Sequence, residues 1–112
     1  MAQKGAEGRG GAGDAVALTN LGFAYAKAGQ YEKAVEVLTR AVRLNPESAE
    51  AHYFLGAAYN NMDRFEEAVG AFREAVRLRP EWGEAYSGLG VAYNCARRFE
   101  ESLAALRRQA VR

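Results

Sequence analysis

The sequence has a single cysteine, Cys95, a single histidine, His52, and only two prolines, Pro46 and Pro80. One cysteine cannot close an internal disulfide, so nothing implies an oxidising compartment. One histidine and one cysteine are too few for a zinc site, and His52 falls in a packing column of the repeat described below. No Gly-x-Ser-x-Gly elbow is present, so a Ser-His-Asp arrangement has no nucleophile turn to build on. The carboxylates fall on exposed helical faces, and Cys95 is either a small core residue or a groove residue. No catalytic residue, metal or cofactor is expected. The N-terminus lacks an apolar h-region, and no apolar run approaches membrane length, so no membrane partner is expected and a cytoplasmic setting is the default. A formal net charge of +1 gives no global field to draw nucleic acid or an acidic partner. The scarcity of proline, and of β-branched residues other than valine, argues against sheet.

What is abundant is Ala, Leu, Glu and Arg, all good helix formers. Apolar residues at 49% and charged residues at 26% describe one globular domain in 112 residues. Five of the twelve glycines lie in the first fourteen residues. No strand precedes them, so they do not read as a phosphate-binding loop. Residues 1–13 are expected to be a flexible Gly-rich tail, and Asp14 to cap the first helix.

Sliding the chain by 34 residues aligns Leu21, Leu55 and Leu89, then Gly22, Gly56 and Gly90, then Tyr25, Tyr59 and Tyr93. Tyr31, Phe65 and Phe99 align further on. Ala34 and Ala68 align with Ser102, Leu38 and Phe72 with Leu106, and Pro46 with Pro80. Each unit reads as two helices. The first helices run near Ala15–Lys27, Glu47–Asn60 and Glu81–Asn94; the second run near Tyr31–Leu44, Phe65–Leu78 and Phe99–Ala110. Apolar residues within them are three and four apart, as at Leu18, Leu21 and Tyr25. Gly29 suits a left-handed C-cap, and Asp63 suits an N-cap. Pro46 and Pro80 suit the first turn of the helix that follows each. The Gly22, Gly56 and Gly90 column marks close approach of two helices.

These columns resemble the tetratricopeptide-repeat (TPR) signature of a large residue, Leu-Gly, Tyr, Ala, Phe and Pro over 34 residues. The large-residue column holds Leu18, His52 and Tyr86 in place of Trp. The resemblance implies an all-α fold, a right-handed α-solenoid of three helix–turn–helix repeats and six helices. The TPR domain would span residues 14–112, with repeats at about 15–48, 49–82 and 83–112. It also implies a non-enzymatic protein-interaction scaffold whose first helices line a concave groove for a partner peptide or helix. The groove residues expected on this basis are Asn20, Phe23, Lys27, Tyr53, Phe54, Asn60, Asn61, Ser87 and Asn94. The alternative for Phe23 and Phe54 is packing between neighbouring repeats. The places that match the carboxylate clamp of chaperone-tail TPRs hold Thr19, Phe23, Phe54, Glu84 and Gly88. No clamp residue survives, so a chaperone C-terminal carboxylate is not an expected partner. Asn20 matches an asparagine ladder seen in some peptide-binding TPR arrays, which Phe54 and Gly88 interrupt.

Arginines recur on the second helices, from Arg40 to Arg108, interspersed with Glu36, Glu67 and Glu74, and read as a solvated face. The last helix carries Phe99, Leu103 and Leu106 where a terminal repeat needs a polar outer face or a capping helix. Two expectations follow. The chain is a segment of a longer repeat protein, or this edge pairs with a second copy to give a homodimer.

Overall fold

The computed structural model describes residues 12–110, the side chains of residues 12, 101, 102, 108 and 109 excepted. Five helices follow one another: α1 (Ala12–Lys27), α2 (Tyr31–Leu44), α3 (Ala49–Asn61), α4 (Phe65–Leu78) and α5 (Gly83–Ala110). They stack in chain order as a right-handed α-solenoid, α1 on α2, α2 on α3, α3 on α4 and α4 on α5. α2 and α4 begin and end where the apolar spacing places them. Each buries one stripe, Ala34, Val37, Leu38 and Ala41 in α2 and Ala68, Val69, Ala71, Phe72 and Ala75 in α4. α1 starts at Ala12, so the last two residues of the expected tail are helical, and the remainder of that tail lies outside the described residues. Asp14 sits inside the first turn of α1, not before it. There its charge favours the helix N-terminus.

The two hairpin turns share one chemistry. Gly29 has φ of 80° and Asp63 has φ of 60°. Each is followed by a residue whose N–H reaches back five positions to close the helix end, Gln30 to the Tyr25 carbonyl and Arg64 to the Tyr59 carbonyl, both at 2.9 Å. Asp63 therefore ends α3; it does not cap α4, which is preceded by Arg64 without a side-chain cap. The prolines also sit differently from expectation, in the turns and not in the helices. The Asn45 Oδ1 accepts the Glu47 N–H at 3.2 Å and holds the chain in a turn past Pro46. Ser48 then caps α3, its Oγ accepting the Ala51 N–H at 3.2 Å.

The third repeat departs from the six-helix expectation. Its two helices run together as α5, 28 residues long. The position equivalent to Gly29 and Asp63 is Arg97, flanked by Ala96 and Arg98. A left-handed conformation costs a residue with a Cβ about 1–2 kcal/mol, and this stretch contains only good helix formers. The helix has no reason to stop.

That difference is visible in the glycine column. An added Cβ on Gly22 would overlap the Leu38 side chain, and one on Gly56 would lie 2.8 Å from the Phe72 ring. At Gly90 nothing lies within 4 Å. Its counterpart, Leu106, is 61% exposed and sits sixteen residues further along the same rod, about 24 Å away. Gly22→Ala should therefore destabilise the chain by about 1–3 kcal/mol through overpacking. Gly90→Ala should be neutral or stabilise it by about 0.5–1 kcal/mol through helix propensity. Urea midpoints of the two variants against the parent check both.

Candidate functional site

The first helices of the three repeats, α1, α3 and the first half of α5, lie side by side. Clefts open between them. Between α1 and α3 a cleft of ≈ 300 Å³ takes Phe23, Lys27, Tyr53, Phe54 and Asn61 into its walls, together with Tyr31 of α2. Between α3 and α5 a cleft of ≈ 360 Å³ is walled by Tyr53, Asn60, Asn61, Ser87 and Val91, with Gly88 and Phe72 at its floor. Asn20 lines a third cleft, near Ser48 and Phe54.

An aromatic run ties these clefts together. The Phe23 and Phe54 ring centroids are 5.0 Å apart, and Phe54 and Tyr53 meet edge-on at 5.7 Å. Tyr53 also meets the buried Phe72 edge-on at 5.6 Å and the Trp82 indole at 4.6 Å. Tyr53 thus stands on the core and shows a face to two clefts. Phe23 is 43% exposed, while Phe54 is half-buried against the cluster of Leu38 and Leu55. The two rings pack between repeats and still border the cleft. Lys27 sets its ammonium 5.6 Å from the Phe23 ring centroid.

The polar groups divide. Asn60 has its Oδ1 buried without a hydrogen-bond partner among the described residues. Asn61 donates from Nδ2 to the Ala57 carbonyl at 2.9 Å. Thr19 is buried and donates to the Ala15 carbonyl at 2.7 Å, so its hydroxyl is already used. Asn94 is exposed and lines none of these clefts, since no further first helix stands beside it among the described residues. His52, in its packing column, is half-buried and bonds the Pro46 carbonyl through Nε2 at 3.1 Å.

Two groups at the rim were not apparent from the repeat columns. Trp82 stacks on Tyr53 and donates from Nε1 to Glu84 at 3.0 Å. The Arg79 guanidinium lies 4.4 Å from the Trp82 ring centroid and forms an ion pair with Glu50. That bond to Arg79 is the main cause that holds the Glu50 carboxyl below its ordinary value of 4.5. The pair therefore persists above the usual carboxylate range and is lost as pH falls below it. Both side chains are well exposed, so its share of stability is small. The signal for Trp82 was its column: it occupies the place of the cap residue Ser48, where an indole has no capping role.

Among the described residues no three His, Cys, Asp or Glu side chains converge as a metal site, and no helix is long and apolar enough to cross a membrane.

The tetratricopeptide-repeat family model matches residues 19–81 and again residues 61–112. Among solved structures, a MamA mutant is 31% identical over 84% of this chain and 69% of that one, with a TM-score of 0.70. The crystal structure of MamA protein is 29% identical, with a TM-score of 0.72 over 83% of this chain and 51% of that one. The present chain thus spans about half the length of that protein and of several other MamA structures. The first TPR of Spaghetti (RPAP3), bound to the HSP90 peptide SRMEEVD, is 28% identical over 78% of this chain and 71% of that one, with a TM-score of 0.70. No curated protein matches.

Proposed function

The chain belongs to the tetratricopeptide-repeat family, and from that premise we propose that it is a non-enzymatic scaffold that binds a partner's peptide or helix across α1, α3 and α5. The observation that carries this reading is the run Phe23–Phe54–Tyr53, rooted on buried Phe72 and open to the clefts on both sides of α3. Rigid aromatic side chains with their bases in the core are the groups that anchor interfaces. Asn60 lines the α3–α5 cleft with its Oδ1 buried and unpaired among the described residues, and rotation of its amide into the cleft would present that acceptor to a backbone N–H of the bound segment. Lys27 and Ser87 stand at the edges of the same surface.

A related domain holds an acidic HSP90 peptide, but the charge of this groove suits a different ligand. Of the clamp-matching places, Thr19 is committed to its own helix, Phe23 and Phe54 are apolar, Gly88 has no side chain, and Glu84 repels a carboxylate. The preferred ligand is a segment with an apolar or aromatic anchor side chain and no terminal acidic cluster. The SRMEEVD peptide should show no saturable binding.

The test begins with peptides selected against the chain from a display library, followed by anisotropy titrations. Phe23→Ala should weaken binding about 30-fold, the effect of losing one anchor of about 2 kcal/mol. Tyr53→Ala with Phe54→Ala should weaken it by about 10³-fold. Circular dichroism must show helicity retained, and the single Phe23 variant guards against loss of fold in the double. Unchanged affinity in folded variants would sink the groove reading.

A further inference from the structure

α5 carries an apolar stripe whose steps alternate between four and three residues. Ala85, Leu89, Ala92 and Ala96 form its first half and pack against α4. The same steps continue through Phe99, Leu103, Leu106 and Ala110. Such a seven-residue period marks a helix that keeps one face towards a neighbouring helix. At Phe99 the stripe reaches the beginning of α4, where its ring lies 5.4 Å from that of Phe65, the first residue of α4. From there α5 projects past α4, with Phe99 51% and Leu103 49% exposed, and Leu106 more so. The seam is built for a helix that α4 is too short to supply.

The other bare surface of α5, around Tyr86, Gly90 and Tyr93, does not serve the same partner. On one straight helix Gly90 and Leu106 point about 160° apart, so a straight neighbour cannot cover both. The projecting stripe is a separate face, and its flank carries an ordered charge pattern. Glu100 and Arg107 are exposed and seven residues apart, so they occupy the same heptad position beside the stripe. In an antiparallel pair of identical helices, that position meets itself across the interface, and Glu100 of each copy falls next to Arg107 of the other. Leu103 then opposes Leu106, and Phe99 opposes Ala110. In a parallel pair that position faces residues 95 and 102 of the partner, a cysteine and a serine, so neither Glu100 nor Arg107 would meet an opposite charge.

We propose that the second half of α5 is a homodimerisation helix that pairs antiparallel with its copy about a two-fold axis near residues 104–105. The partner's projecting segment takes up the seam where α4 ends, so each α5 is covered along its whole length by α4 of its own chain and then by α5 of the other. The surface is isologous, and it closes on itself instead of propagating. The inference is independent of the groove reading, whose contacts lie on α1, α3 and the first half of α5.

Sedimentation equilibrium of the chain from low micromolar to near-millimolar concentration tests it. The parent should dimerise, and Leu103→Glu should be monomeric with its helicity and its groove-peptide affinity unchanged. Glu100→Arg and Arg107→Glu should each weaken the dimer by at least about tenfold. An equimolar mixture of those two variants should recover a dimer, because every cross-pair is then complementary. A parent that stays monomeric throughout, including one whose last segment folds back on its own α5, overturns the proposal. So does a dimer indifferent to Leu103→Glu, which uses another surface. Single charge variants whose mixture gains nothing overturn the antiparallel pairing.

Discussion

Phe72→Ala will lower the stability of the chain by about 3–5 kcal/mol, the range for a deleted core aromatic ring. Phe72 is only 2% exposed and lies where three helices meet. The reason for the large value is that its neighbours cannot close the hole. The ring rests on Gly56 of α3 and on Gly88 of α5, where an added Cβ would come within 2.8 Å and 2.6 Å of it. Neither glycine has a side chain to swing in, and a void that cannot collapse costs most. Total stability for a domain of this kind is about 5–15 kcal/mol, so much of it goes with one residue. Tyr53 loses its footing in the same step, and groove affinity should fall with it. Urea denaturation followed by circular dichroism reads the change as a lower midpoint at similar slope. A shift under about 1 kcal/mol would mean that the ring does not fill the junction of α3, α4 and α5.

Arg97→Gly will break α5 in two and let its second half fold back. Glycine in a helix interior costs about 1 kcal/mol, and it removes the penalty of about 1–2 kcal/mol that arginine carries in a left-handed turn. Together these move the balance between rod and hairpin by about 2–3 kcal/mol, a factor of about 30 to 150. The hairpin also offers Leu106 a seat over Gly90, as Leu38 has over Gly22 and Phe72 over Gly56. Spin labels at Val91 and Arg107, in a Cys95→Ser background and diluted with unlabelled chain, should read about 24 Å apart in the parent rod. In the variant they should approach the spacing of packed helices, about 8–10 Å. A distribution that stays at the longer distance would show that the turn residue does not decide the conformation.

The 34-residue period, the bounds of α2 and α4 and the close approaches at Gly22 and Gly56 were legible in the sequence, because they depend on spacing and on residue size. So were Phe23, Tyr53, Phe54, Asn60, Asn61 and Ser87 as residues of the face between first helices. What escaped depended on single residues that the matched columns hide. Leu89, Gly90, Tyr93, Phe99 and Leu106 all fit the third repeat, yet Arg97 in the turn outweighs them. Gly88 lines the α3–α5 cleft, as its column suggests, but the column does not show that it is also a socket for Phe72 from the preceding repeat. Trp82 reaches Tyr53 from a loop, and loop side chains follow no period. Asp63 illustrates the same limit. Its side chain can cap a helix or tolerate a positive φ, and only the backbone path, with the Arg64 N–H on the Tyr59 carbonyl, decides between them.

The unbroken length of α5 has a consequence for valency. Twenty-eight residues of unbroken helix make a rod of about 42 Å, and in the antiparallel dimer two such rods overlap only at their ends. They act as a ruler that fixes the spacing and the relative facing of two identical grooves. A ligand with two copies of its recognition segment, on a linker matched to that spacing, meets the second groove at an effective concentration near millimolar and gains about 10²–10⁴ in avidity. A ligand with one copy, or with a linker too short to span the rods, gains nothing. The length of a single helix would then select partners by their architecture as well as by their sequence.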